Sequence, residues 1–366
     1  MREMSTTGAA GKLGMWRPPP LFVLGVRRSG TTLLRVMLDR HSQLAIPDES
    51  YFIPQVAARH RGRLNVDAFC DDISRLPTLI DWGVPVSQVR ASLTQGATVS
   101  QGLQAIYRVH AERQGKRLWG DKTPMYMQFL PLIERLFPDA RFVHLVRDGR
   151  DAACSFLTMP DGVATETWAH PRSPAGFACQ WRTEVRAARA LGERVGPDRY
   201  LELRYEDLVI DPRAGLAAVC EFANIAYEPP MVEYAGHIDL SGKPHLTGLK
   251  RPPTPGLRDW RTEASVATVA EFEAIAGDLL AVCGYPLADP TKAAGPAPRQ
   301  RLALAAYASR ARAWRAAARA LARSPMWRRR HPPVTTSGRS PQSPVMQIDH
   351  HPPDTFATVG HLSRRG

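Results

Sequence analysis

One stretch constrains this chain more than any other: LFVLGVRRSGTTLLRVMLD, from Leu21 to Asp39. Leu21 to Val26 is a short apolar run, the pattern of a strand buried on both faces. It breaks at Gly25 into a short loop, which ends at Gly30 and opens an amphipathic helix over residues 31–41. Strand, tight glycine-bounded loop and helix together begin a unit of parallel α/β architecture. The spacing Gly25 to Gly30, followed by Thr31 and Thr32, is also that of a loop that cradles a phosphate. Backbone N–H groups and the positive end of the helix dipole hold an anion there. Where a nucleotide triphosphatase places its lysine, this chain has Thr31. Arg28 offers a bidentate fork instead. The loop is suited to holding a nucleotide phosphate and lacks the cation used in splitting ATP.

The alternation continues downstream. Arg141–Asp148 reads as a second buried strand and Arg199–Val209 as a third. Helices are expected over much of 60–115, then Tyr126–Phe137, from near Asp151, at 176–194, Arg213–Asn224 and 266–283. Strands separated by helices predict an α/β fold, a parallel sheet with helices on both faces. Ligands then sit at the carboxyl ends of the strands. The expected organisation is a flexible leader over 1–19, a catalytic domain over 20–288, a basic amphipathic helix within 289–330 and a disordered tail over 331–366.

Charge supports that division. The chain has 366 residues and a net charge of +13, of which +11 lies in residues 292–330, a segment with no acid. The globular part is nearly neutral, so its basicity gives no argument for nucleic-acid binding. On a helical wheel Arg301, Arg312, Arg315, Arg319 and Arg323 share one face, opposite Tyr307, Trp314 and Leu321. The five scattered cysteines form no CxxC pair, which predicts reduced thiols rather than a zinc site. No apolar run approaches the roughly 18–20 residues of a membrane span, and no signal peptide is visible.

Four segments carry candidate chemistry. The first is the loop of Arg28, Ser29, Gly30, Thr31 and Thr32. The second, VRDGRDAACS, places Arg147 at a strand end and Ser155 on the helix that follows, a pair suited to a second phosphate. The third, GDKTP, holds Lys122. The fourth, PDESYFIP, holds Glu49, a candidate general base. Alone, the last two are as readily an ordinary turn lysine and a solvated acid. His144, in the middle of a strand, reads as a packed core histidine.

Taken together, RRSGTTLLR, LVRDGRDAACS and LRYEDLV resemble the PAPS-dependent sulfotransferases over roughly residues 20–285, with motifs nearest the protein-tyrosine sulfotransferase branch. PAPS is 3′-phosphoadenosine 5′-phosphosulfate, a sulfuryl donor. The resemblance implies that Arg28 and the loop amides hold the 5′-phosphate, that Arg147 and Ser155 hold the 3′-phosphate, and that Tyr205 lies near the nucleotide. It places the base at Glu49 and gives Lys122 the transition-state role, with no metal. Two departures stand out. The family often has proline at the position of Arg27, and the tyrosine-sulfating branch has Lys-Asp-Pro where Lys122-Thr123-Pro124 stands here. Segment 250–260, with Arg258 and Trp260, is expected to close over the nucleotide.

The expected reaction is transfer of a sulfuryl group to an acceptor hydroxyl on a small molecule, a glycan or glycolipid, or a tyrosine peptide. The alternatives are a P-loop kinase, disfavoured by Thr31, and a non-enzymatic binder of membrane or nucleic acid acting through residues 299–330. An anionic membrane surface is the expected partner of that segment, without specific nucleic-acid binding. The abundance of Arg, Ala and Pro suggests a bacterial protein. The expected location is cytoplasmic, with peripheral membrane contact.

Overall fold

A computed structural model describes residues 19–158, 171–237, 249–324 and 326. The expected leader, apart from Pro19, and the tail over 331–366 lie outside the described residues. Five strands form one parallel sheet in the order β2-β3-β1-β4-β5: β1 Leu21–Leu24, β2 Leu44–Ala45, β3 Leu118–Asp121, β4 Arg141–Val146 and β5 Tyr200–Arg204. β1 lies at the centre, in register with β4 from Leu21 opposite Arg141 to Leu24 opposite His144. Its residues alternate between two cores. Phe22 and Leu24 face one side, and Leu21 and Val23 the other. That double burial is why the strand reads as continuously apolar.

The helices run in chain order: α1 Thr31–Asp39, α2 Ile53–Arg59, α3 Val66–Ile73, α4 Pro77–Asp81, α5 Val86–Ala91, α6 Val99–Arg113, α7 Leu130–Leu136, α8 Gly149–Leu157, α9 Pro174–Val195, α10 Tyr205–Ile210, α11 Pro212–Ala223, α12 Trp260–Glu263, α13 Val266–Val282 and α14 Pro298–Arg323. One face of the sheet packs on α2, α3 and α6, and the other on α1 and α11. A third core lies among α8, α9 and α13. The chain passes from β3, on one side of β1, to β4 on the other. The loops after β1, β3 and β4 therefore open onto a single crevice at the carboxyl edge.

Three expectations need correction. The helix expected over Tyr126–Phe137 is a 3-10 turn, Pro124–Gln128, followed by α7. Pro131 has no N–H to donate and fits only the first turn of a helix, so α7 restarts beside it. The strand expected over Arg199–Val209 ends at Arg204, and Tyr205 begins α10. Glu206 and Asp207 fall in its first turn, where the dipole favours acids. The strands β2 and β3 were not expected. β2 has two residues. β3, LWGD, contains Gly120, where a Cβ would lie 2.5 Å from the Leu21 carbonyl oxygen. Close approach to β1 requires glycine there, and it hides the strand signal.

The helix expected in the basic segment forms as α14 and packs against α2 and α9. Trp314 is buried beside Phe129. Arg301, Arg312, Arg319 and Arg323 face outward, and Arg323 donates to the Ala58 carbonyl. Among the described residues no helix is long and apolar enough to cross a membrane.

Candidate active site

The loop after β1 is a nest of alternating backbone conformations. Arg28 has φ 68° and Gly30 φ 86°, and the Ser29 N–H donates to the Val26 carbonyl at 3.1 Å. This corrects one expectation: the Ser29 amide is used inside the loop, and what Ser29 leaves unpartnered is its buried Oγ. Thr31 also turns inward, with its methyl group filling the space a Gly25 Cβ would need. Its contribution at the mouth is therefore its backbone N–H. No side chain caps α1, so the amides at its start lack an intrahelical acceptor. Gly30 has a further reason to be glycine, because a Cβ there would come within 2.3 Å of the Tyr205 ring.

Two guanidinium groups converge on this loop. Arg28 Nε donates to Ser155 Oγ at 3.0 Å. Arg147 donates to the Arg28 carbonyl at 3.1 Å, and its guanidinium lies over the Tyr205 ring at 4.5 Å. Arg28, Arg147, Ser155 and Tyr205 thus meet at one place, although they come from the loops after β1 and β4, from α8 and from α10. Burial pulls the Arg28 pKa below its usual value, and the charges of Arg147 and Arg258 add to that pull. Among the described residues neither Arg28 nor Arg147 has a carboxylate partner, and Arg147 Nε is buried without a hydrogen bond. Gathered positive charge, orphaned donors and uncapped amides are the electrostatics of an anion site.

The second centre lies at the mouth of the same loop. Lys122 is only 2% exposed, and its ammonium donates to Glu49 at 2.5 Å and to Thr32 Oγ1 at 3.2 Å. Burial lowers the Lys122 pKa, and the Glu49 carboxylate works against that shift. Glu49 remains 27% exposed and also accepts from Tyr51. The chain around it is pinned from both sides. The Ser50 N–H donates to Thr123 Oγ1 at 3.0 Å, Ser50 Oγ lies 2.6 Å from the Tyr126 hydroxyl, and Arg35 pairs with Asp48 at 2.9 Å. Thr123 is therefore an anchor that ties the Glu49 loop to the lysine strand. Beside it, burial raises the Asp121 pKa to about 6 against hydrogen bonds that include one from Tyr107.

Other residues were less legible. Arg150 is buried between Asp148 at 2.7 Å and Glu273 at 2.5 Å, and lies over the Trp260 ring at 3.9 Å. It fixes the turn that presents Arg147. The Trp260 backbone N–H donates to Asp151 at 2.8 Å, which brings the start of α12 against α8. His144 is buried, with Nδ1 2.7 Å from the Tyr200 hydroxyl, as expected of a core histidine. Burial lowers the Arg27 pKa, and the charges of Glu184 on α9 and of Glu49 work against that shift.

The model described as "Sulfotransferase family" matches residues 19–229, more than half of the chain. The chain belongs to the sulfotransferase family. Among curated sulfotransferases it is similar to protein-tyrosine sulfotransferase 2 of Gallus gallus, 27% identical over 233 residues, covering 64% of this chain and 57% of that one. It is also similar to the nodulation protein NoeE of Sinorhizobium fredii, 27% identical over 298 residues, covering 73% of this chain and 67% of NoeE. The chain spans little more than half the length of the first of these relatives. Among solved sulfotransferase structures, the sulfotransferase domain from the curacin biosynthetic pathway shares the fold, with a TM-score of 0.54 and 22% identity, covering 74% of this chain and all of that domain. The family match ends before α12, α13 and α14.

Proposed function

We propose that this chain transfers the sulfuryl group of PAPS to an acceptor hydroxyl, with Arg28, Lys122 and Glu49 at the reacting centre. The observation that carries this reading is the Lys122 ammonium, buried between Thr32 and Glu49 at the mouth of an anion-binding loop. The residues fit the donor. Ser29 Oγ and Arg147 Nε are buried polar atoms in need of partners, and a nucleotide bearing two phosphate groups supplies acceptors for both. Bound there, the donor supplies an activated sulfuryl group on a phosphate leaving group. Arg28 and the amides at the start of α1 hold its 5′-phosphate. Arg147 and Ser155 hold the 3′-phosphate, with Tyr205 as the platform under Arg147.

Charge grows on the leaving oxygen during transfer, and Lys122 stands ready to neutralise it. Glu49 receives the proton of the acceptor hydroxyl, a contribution of about 10²–10⁴-fold. Its exposed edge gives the acceptor a way in. The test is Glu49→Gln with labelled PAPS. Binding of adenosine 3′,5′-bisphosphate (PAP) is expected to survive and most transfer to disappear; full transfer moves the base elsewhere.

A second reading concerns α14, whose outward arginines favour an anionic membrane surface at about 1 kcal/mol per basic residue near the lipid. Replacing Arg301, Arg312 and Arg319 with glutamine is expected to release the chain from anionic vesicles. Equal sedimentation of both proteins dismisses the membrane role.

A further inference from the structure

Away from the reacting centre, the end of α2, α3 and the end of α14 surround an open cavity of about 540 Å³. Small-molecule sites span roughly 300–1,000 Å³, so the space is large enough for an organic ligand. None of its lining residues belongs to the site built around Arg28, Lys122 and Glu49. One carboxylate in it is already committed. Asp72 pairs with Arg59 at 2.8 Å and lies 3.2 Å from His60 Nε2. Burial opposes its ionisation, but the hydrogen bonds with His60 and Arg59 outweigh burial and hold its pKa below the usual value. Three further guanidinium groups converge on the same space from separate segments. Arg61 follows α2, Arg75 follows α3, and Arg323 ends α14. Arg61 and Arg75 are exposed, and among the described residues neither side chain has a hydrogen bond or a carboxylate partner. Arg323 uses only its Nε, on the Ala58 carbonyl at 3.2 Å. Asp71 is exposed on the α3 wall, and among the described residues its carboxylate has no donor.

We propose that this cavity binds a phosphate monoester carried on a hydroxylated carbon skeleton. The charge selects the anion. Four arginines and two aspartates line the space, a net +2 with His60 counted as neutral. A phosphate monoester brings about −1.5 to −2 at neutral pH and so balances it. A sulfate ester or a carboxylate brings a single charge and leaves part of it standing. Guanidinium forks match phosphate oxygens two at a time, which suits three arginines around one group. The volume and Asp71 select the rest of the ligand. A bare phosphate fills little of the space, whereas a hydroxyl beside the phosphate fills more of it and donates to the Asp71 carboxylate. Two sources carry this chemistry, a soluble sugar phosphate and the headgroup of a phosphate-monoester lipid. The inference stands apart from the PAPS reading, because no residue is shared between the two sites.

The experiment uses the full chain and one probe for each source. Glucose-6-phosphate is titrated by calorimetry beside glucose-6-sulfate. Phosphatidylcholine vesicles containing phosphatidic acid are sedimented beside vesicles with the same fraction of phosphatidylglycerol, a phosphodiester. Both are repeated with the double variant Arg61→Gln/Arg75→Gln and with Arg28→Ala. The expected result is saturable binding of at least one phosphate monoester, at least about tenfold tighter than its control. That affinity is expected to fall at least about tenfold in the double variant, the size of a lost charge-assisted contact, and to be unchanged in Arg28→Ala. Binding of the sugar phosphate marks a soluble source; binding of phosphatidic acid alone marks a lipid one. Both arginines are exposed, so thermal unfolding of the double variant is expected to match wild type; if it does not, Arg75→Gln alone carries the comparison. No binding of either probe, equal affinity for each probe and its control, or equal affinity in wild type and the cavity variant overturns the proposal. Loss of binding in Arg28→Ala instead overturns it too, because the phosphate then sits in the loop after β1.

Discussion

Replacing Lys122 with methionine removes the ammonium and keeps most of the stem that fills its buried channel. The wild-type ammonium contacts Glu49 at 2.5 Å and Thr32 Oγ1 at 3.2 Å, and Lys122 is 2% exposed. In such a dry setting a preorganised cation is worth more than in water, and loss of one transition-state donor costs about 10²–10³ in kcat, or about 3–4 kcal/mol. The expected loss lies in that range, because Arg28 and the α1 amides remain. The fold is expected to tolerate the change. Glu49 is left without its lysine, yet at 27% exposure it keeps contact with solvent and with Tyr51. The assay is single-turnover transfer from labelled PAPS, with PAP binding and thermal unfolding measured on the same preparations. A turnover loss under about tenfold with PAP affinity intact, where removal of one such donor predicts about a hundredfold or more, refutes the assignment of Lys122 to the leaving group.

Other substitutions probe the frame around the site. Gly30→Ala places a methyl group against the Tyr205 ring at a left-handed backbone position. It is expected to weaken PAP binding by at least about tenfold, since strain of roughly 1–2 kcal/mol adds to the clash; unchanged affinity in calorimetry counts against the loop. Trp314→Ala opens a gap beside Phe129 under α14 and is expected to lower stability by about 3 kcal/mol, read by chemical denaturation. The acid limb of stability provides a further check. Burial opposes ionisation of Glu202, but hydrogen bonds to His144 and Arg189 outweigh it and hold its pKa at about 2, against an ordinary 4.5. The folded value is the lower one, so the stabilisation is full above the ordinary value and fades as pH falls from there towards 2. Glu202→Gln is expected to destabilise the chain at pH 7 by about 2–3 kcal/mol and to flatten that limb; parallel pH profiles for the two proteins contradict the assignment.

The sequence made the centre of this fold legible because its signals are local. A strand buried on both faces is mostly apolar: β1 is so throughout, and β4 departs from it only at Arg141, at its start, and the buried His144. The loop after β1 depends on glycine spacing, and its partner arginine lies at the end of a readable strand. Glu49 and Lys122, each unremarkable alone, became a pair because the crossover topology brings residues 73 positions apart within 2.5 Å. What stayed hidden was short or context-dependent. β2 has two residues, and β3 carries a glycine dictated by the neighbouring strand rather than by its own propensity. Tyr205 has strand-like chemistry but starts a helix, because the acids after it favour a helical first turn. The role of Thr123 as an anchor arises only when distant elements pack, and no spacing in the chain encodes it.

The central claim is that the loop of Arg28 to Thr32, together with Arg147, is the seat of a nucleotide bisphosphate. Calorimetric titration of the purified chain with PAP, in the presence of EDTA, tests it most directly. The account predicts saturable one-to-one binding that falls by at least about tenfold in both Arg28→Ala and Arg147→Ala, since charge-assisted contacts of this kind are worth roughly 1.5–3 kcal/mol each. Absence of binding, or equal affinity in wild type and both variants, contradicts it.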